Sequence, residues 1–166
     1  MTEQNPVEIV EEVVAPELTE AEQRQAKARS LIKKYAAVSA GLGLIPVPGL
    51  DIASVSSAQY ALIRDLAELY GYQSSKEHIR VILGSLLGGA LPVAVTATGI
   101  GSVIKSVPFV GTIAGMVLMP SLAAASTLAV GRVFSQHFES GGTLLDINVD
   151  KMREHFKTEF EAAKLK

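Results

Sequence analysis

The chain contains no cysteine and no tryptophan, and aromatic residues make up only 5% of it. The first absence excludes disulfides and cysteine-ligated metal, and it is neutral about cellular compartment. Charge is also scarce, at 19% against about 25% for an ordinary soluble domain. With a net charge of −2, no overall basic field recruits nucleic acid. No GxxxxGK[ST] loop is present, so nucleotide binding by that route is not expected. The opening residues are acidic rather than basic-then-apolar, which is not the pattern of a secretory signal.

What is present is apolar and unevenly charged. Residues 1–18 carry five glutamates and no basic side chain, and read as a flexible acidic tail, with a short strand over "VEIVEEVV" as the alternative. Residues 81–131 hold one charge, Lys105. It separates 24 uncharged residues, Val81–Ile104, from 26 more, Ser106–Gly131. About 20 suffice to cross a bilayer. The centre therefore reads as a helical hairpin with arms over 79–104 and 112–137, the first kinked at Pro92. Gly84/Gly88 and Gly111/Gly115 are GxxxG pairs, expected to let helices pack closely.

Around this hairpin the pattern predicts further helices. Thr19-Glu20-Ala21-Glu22 is a capping box opening a helix to about Ala40, loosened at Gly41 and Gly43. The elbow "IPVPGLD" follows, in which Pro46, Pro48 and Gly49 turn the chain. Asp51 is placed to cap the next helix, Ile52–Tyr70, stopped by Gly71. As the one acid within residues 35–63, it is also a candidate proton or ion site inside a membrane. Ser74 and Glu77 suggest a third capping box-led helix. After the polar loop with Gly141-Gly142, Asp150 is placed to cap a last amphipathic helix with the apolar stripe Met152, Phe156 and Phe160. The domain plan is thus an acidic tail (1–18), a helical domain (19–145) and a C-terminal amphipathic helix (146–166). The fold class is all-α, a helical bundle around a glycine-rich apolar hairpin.

Chemistry is sparse. His78, His137 and His155 are scattered, and a metal site at His137 and Glu139 would need further converging ligands. Gly99-Ile100-Gly101 lacks the strand that a phosphate loop requires. No catalytic residue, cofactor site or metal site is expected. The basic run Arg24–Lys34 is suited either to anionic lipid headgroups or to plain solvation.

The stretches "IPVPGLDIASVSSAQYALIRDLAELYG", "VPFVGTIAGM" and "LAVGRVFSQHFESGG" resemble the bacterial YcjF-like family, domain of unknown function 697. The resemblance covers roughly residues 25–145. It implies an all-helical, membrane-associated domain often fused to, or encoded beside, Era-like GTPases. No GTPase domain is attached here, so such a partner would act in trans. The expected function is a non-catalytic membrane adaptor of the bacterial inner membrane. Basic residues outside the hairpin, at Arg80 and Arg132, would keep both termini cytoplasmic. Two alternatives stand beside it: a soluble all-helical scaffold with the hairpin as core, and an oligomerising membrane-remodelling hairpin. A homo-oligomer through the glycine faces is compatible with the adaptor as well.

Overall fold

The computed structural model describes residues 18–44, 50–97 and 110–164, with side chains described over 18–44, 53–88 and 118–164. Five helices account for nearly all of this: α1 (Glu20–Leu42), α2 (Leu50–Leu69), α3 (Lys76–Ala97), α4 (Val110–Glu139) and α5 (Val149–Lys164). There is no strand among the described residues, and the all-α expectation holds.

The helix ends follow local chemistry. The Thr19 hydroxyl accepts from the Glu22 amide while the Glu22 carboxylate accepts from the Thr19 amide at 2.8 Å, a reciprocal capping box. Gly71 at φ +79° and Gly141 at φ +85° end α2 and α4. At each, the next amide reaches back to close a Schellman turn: Tyr72 N–H to Ala67 O at 2.8 Å and Gly142 N–H to His137 O at 3.0 Å. Three caps differ from expectation by one or two residues. Ser75, not Ser74, caps α3, its hydroxyl accepting from His78 N–H, so Glu77 has no reciprocal role. Asn148, not Asp150, caps α5, accepting from Lys151 N–H at 3.1 Å. Asp51 falls inside the first turn of α2, which begins at Leu50, so it follows the cap position rather than occupying it. Its side chain lies outside the described residues, as do Pro46, Pro48 and Gly49 of the elbow.

Helices α1 and α4 run antiparallel. Gln25 meets Glu139, Ile32 lies against Gly131, and the α1 cap Gly43 lies against Met119 and Pro120. A Cβ on Gly43 would stand 3.0 Å from Pro120 Cα, so this glycine permits a close backbone approach rather than loosening the helix. Helix α2 runs alongside α4 in the same direction, with Gln59 beside Thr127, Leu62 beside Gly131 and Tyr70 beside Glu139. The turn of the expected hairpin lies outside the described residues. Among the described residues α3 packs on α5 and α2, while α4 packs on α1, α5 and α2. The C-terminal helix thus contacts both expected arms and completes the bundle. Its stripe Met152, Phe156 and Phe160 is buried, as the spacing predicts. Helix α3 continues across Pro92 as far as Ala97.

The core is built from Leu62, Ile63 and Leu66 of α2, Ile79 and Leu86 of α3, Val130, Val133 and Phe134 of α4, and Phe156 of α5. Gly131 sits where α1, α2 and α4 cross. A Cβ there would lie 2.7 Å from Ile32 Cγ1 and 3.1 Å from Leu62 Cδ2. The glycines expected to mark packing behave differently. Gly84 and Gly88 are exposed, with nothing near a Cβ at either. Among the described residues no helix packs on them. Gly111 and Gly115 lie outside the residues whose side-chain surroundings are described.

Candidate functional site

The sequence offers no catalytic constellation, and the distinguishing feature of the bundle is the distribution of polar and charged groups along it. Charge changes abruptly at one level. Ile32, Leu62 and Gly131 share a layer where three helices meet. On α1 the last charge is Lys34, on α2 charges resume at Arg64, and on α4 they resume at Arg132. All three boundaries therefore fall within about half a helical turn of that layer. Beyond it, the sequence of these three helices carries a charge only at Asp51. Lys105, between α3 and α4 in the chain, is the other charge of the uncharged segments.

The charged side of this layer is held by specific polar contacts. Tyr70 donates to Glu139 at 2.7 Å, Ser135 donates to the same carboxylate oxygen at 3.1 Å, and Gln25 donates to its other oxygen at 3.4 Å. Burial pushes the Tyr70 hydroxyl up to about 12, and the adjacent Glu139 carboxylate adds to the shift. Arg132 pairs with Glu159 at 2.9 Å and Arg64 with Asp65 at 2.7 Å, where Tyr35 also donates to Asp65. His137 Nε2 lies 2.8 Å from Thr143 O and 3.4 Å from Asp146, tying the loop to α4. The Thr143 amide, donating to Asp146, holds that carboxyl below its usual range. A Cβ on Gly142 would collide with the His137 ring, so this position, which reads as a free loop in the sequence, is sterically committed. Among the described residues no three histidine or acidic side chains converge on a metal position.

On the uncharged side polar groups point inward. Gln59 Nε2 donates to Ser126 Oγ at 3.0 Å and Thr127 Oγ1 at 3.3 Å, and Thr127 donates to Ser39 Oγ at 2.8 Å. Ser39, Gln59 and Thr127 are at most 1% exposed, and Gln59 Oε1 has no partner among the described residues. This cluster joins α1, α2 and α4. Sequence reasoning missed it because short polar residues in an apolar helix carry no signal of which neighbour they face. Outside, large apolar side chains are bare: Val38 is 45% exposed, Leu44 61% and Met119 45%. They stand where α1 ends against Met119 and Pro120.

The segment Leu118–Glu139 is long and apolar enough to cross a membrane, but half of it is buried in the bundle. Because α1 ends at the level of Pro120, α4 continues past it for about ten residues, on the order of 15 Å.

A relative in Magnetospirillum gryphiswaldense, magnetosome membrane protein 22, is 37% identical to this chain over 141 residues, covering 85% of this chain and 72% of the relative. No solved structure matches the chain. The family model described as domain of unknown function (DUF697) matches residues 11–164, a range that contains all five described helices, and the chain belongs to that family.

Proposed function

We propose that the protein is a membrane-embedded, non-catalytic adaptor whose uncharged end sits in the bilayer and whose charged end stands in water. The observation that carries this reading is the coincidence of the charge boundary on three helices in one layer of the bundle. A soluble helical bundle has no reason to strip charge from three helices beyond one level, on their outer as well as their inner faces. Burial of Ser39, Gln59, Ser126 and Thr127 together with exposure of Val38, Leu44 and Met119 is the arrangement lipid favours. The name of the magnetosome membrane relative points the same way. Residues 88–117 carry a single charge, Lys105.

The charged end, with both termini on the cytoplasmic side of a bacterial inner membrane, is then free to meet a partner. The resemblance to GTPase-associated proteins makes a GTPase acting in trans the partner to seek. A second copy of the chain would pack along the exposed stripe Val81, Gly84, Ser85 and Gly88 of α3.

The absence of native cysteine makes the test direct. Single cysteines introduced at Val38, Leu44 and Met119 should resist a water-soluble maleimide in reconstituted vesicles and react after detergent solubilisation. A cysteine at Gln136 or Glu154 should react in both. Ready labelling at Val38 and Met119 in vesicles, or release of the protein by alkaline carbonate, would return the soluble scaffold as the better reading.

A further inference from the structure

An open cavity of about 420 Å³ lies in the layer where charge changes, between α1, α4 and α5. Arg29 and Lys33 of α1 and Arg132 of α4 line it with positive charge, and Gln136 adds an amide. Ile32 and Leu128 form its apolar wall, and Glu159 of α5 is its one acid. Arg132 is drawn to Glu159 at 2.9 Å, and Gln136 donates to the other oxygen of Glu159 at 3.5 Å. His155 stands 3.8 Å from that same oxygen. One carboxylate thus answers three permanent cations, and the lining retains two uncompensated positive charges. Both partners of the ion pair are partly sheltered, with side-chain exposures of 31% for Arg132 and 18% for Glu159. Arg29 and Lys33 are exposed and make no ion pair within the described residues.

We propose that this cavity binds a phosphate ester carrying an apolar tail, the chemistry of an anionic phospholipid. Guanidinium groups offer paired donors to phosphate oxygens, and the lysine supplies a point charge beside them. The apolar wall is on hand for the tail. Ile32 shares its layer with Leu62 and Gly131, and Leu128 lies one turn from Arg132 toward the uncharged end. A lipid phosphate at Arg29, Lys33 and Arg132 therefore lets its chain follow the protein into the apolar zone. Assigning the phosphate to a lipid rests on the membrane reading, while the phosphate site itself does not.

The test uses the full chain in neutral detergent, titrated with dihexanoyl phosphatidylglycerol, dihexanoyl phosphatidylcholine and glycerol 1-phosphate. The expected result is binding of the phosphatidylglycerol at least tenfold tighter than the phosphatidylcholine, with glycerol 1-phosphate weaker than either phosphatidylglycerol or its mixture with detergent. Because Arg29 and Lys33 are exposed, Arg29→Gln/Lys33→Gln should leave the fold intact and cost tenfold or more in affinity. The charge-matched Arg24→Gln/Lys27→Gln variant should change it less than threefold. Glu159→Gln, which removes the competing charge and keeps an acceptor for Arg132, should tighten binding severalfold. Glycerol 1-phosphate binding as tightly as the lipid, with the same variant pattern, would uphold the phosphate site and overturn the tail. Equal losses in the two double variants, or no preference for the anionic lipid, would overturn the site and leave only diffuse surface charge. Neither result depends on carbonate extraction, which tests membrane residence separately.

Discussion

The two ends of the bundle solve the same packing problem with opposite materials. At the charged end, large aromatic side chains fill the interior and polar groups face outward into ion pairs and caps. Phe134 and Phe138 lie with ring centres 6.0 Å apart, and Tyr72 stacks obliquely on Phe138 at 5.4 Å. At the other end small residues bring the helices close, polar groups turn inward, and Val38, Leu44 and Met119 face out. In water, apolar burial stabilises by about 25 cal/mol per Å². In lipid that term vanishes between helices, and close packing with interhelical hydrogen bonds takes its place. On the proposed membrane reading, the change of construction at Gly131 follows a change of solvent.

The sharpest way to break the comparison is at the joint itself. Gly131→Leu places a side chain on the stem of Ile32, a β-branched residue with little rotamer freedom, and against Leu62. Overpacking of a tight core costs about 1–3 kcal/mol, and a backbone crossing of three helices has less room to relax than most sites. We expect Gly131→Ala to cost about that much and Gly131→Leu to prevent isolation of a folded protein, read by thermal unfolding in detergent. A Gly131→Leu variant with an unchanged midpoint would mean that the crossing is looser than the structure has it.

The inward polar cluster comes next. Thr127→Val keeps shape but removes the hydroxyl between Gln59 and Ser39, taking an acceptor from the Gln59 amide and a donor from the Ser39 oxygen at a cost of about 1–3 kcal/mol. Gln59→Met removes an amide whose oxygen already has no partner, and should cost clearly less. If Gln59→Met is the more damaging of the two, the cluster is organised around the amide, and an unseen donor satisfies its oxygen.

The charged end is sharpened by pH. Tyr70 is raised to about 12 by burial first and by Glu139. Its ordinary value is about 10. A group whose folded value is raised contributes stability that is complete below pH 10 and lost as pH climbs toward 12. Tyr35, partly buried and bonded to Asp65, is also raised to about 12, so the Tyr70 component is read as a difference in tyrosinate absorbance between the parent and the variant. Tyr70→Phe should remove a late-titrating component and flatten the alkaline fall of the unfolding midpoint between pH 10 and 12. Loss of a component near pH 10 in place of the late one would show that Tyr70 meets water freely.

Much of this architecture is legible in the sequence where the signal is local. The Thr19 box, the Gly71 stop and the Met152–Phe156–Phe160 stripe depend on residues within a few positions of one another, and each stands where the pattern puts it. The charge boundaries are legible on each helix alone. That they coincide in space is not, because register between helices is set by long-range packing. The same gap explains the glycines. Spacing shows that Gly84 and Gly88 share a face but not whether that face meets a helix, whereas Gly131, with no glycine four residues away on its own helix, sits at the crossing. The role of α5 as a neighbour of both α3 and α4 is invisible for a similar reason: an amphipathic stripe shows that a helix packs, never on what.

The smallest expected effect separates the chain as a monomer from the chain as an assembly. Among the described residues of one molecule nothing stands near a Cβ on Gly84 or Gly88 of α3. Glycine in an exposed helix interior is less favourable than alanine by about 1 kcal/mol, so Gly84→Ala and Gly88→Ala should each stabilise the monomer by up to that amount. Leucine at either position should be tolerated too, which reverses the expectation from the GxxxG spacing alone. If copies associate through this stripe, the same substitutions push the partner helix away, and crosslinking in membranes falls while the dilute detergent midpoint rises or holds. Opposite signs in those two measurements would identify α3 as the face between copies. A lowered midpoint in dilute detergent would instead mean that some element of the same chain covers Gly88.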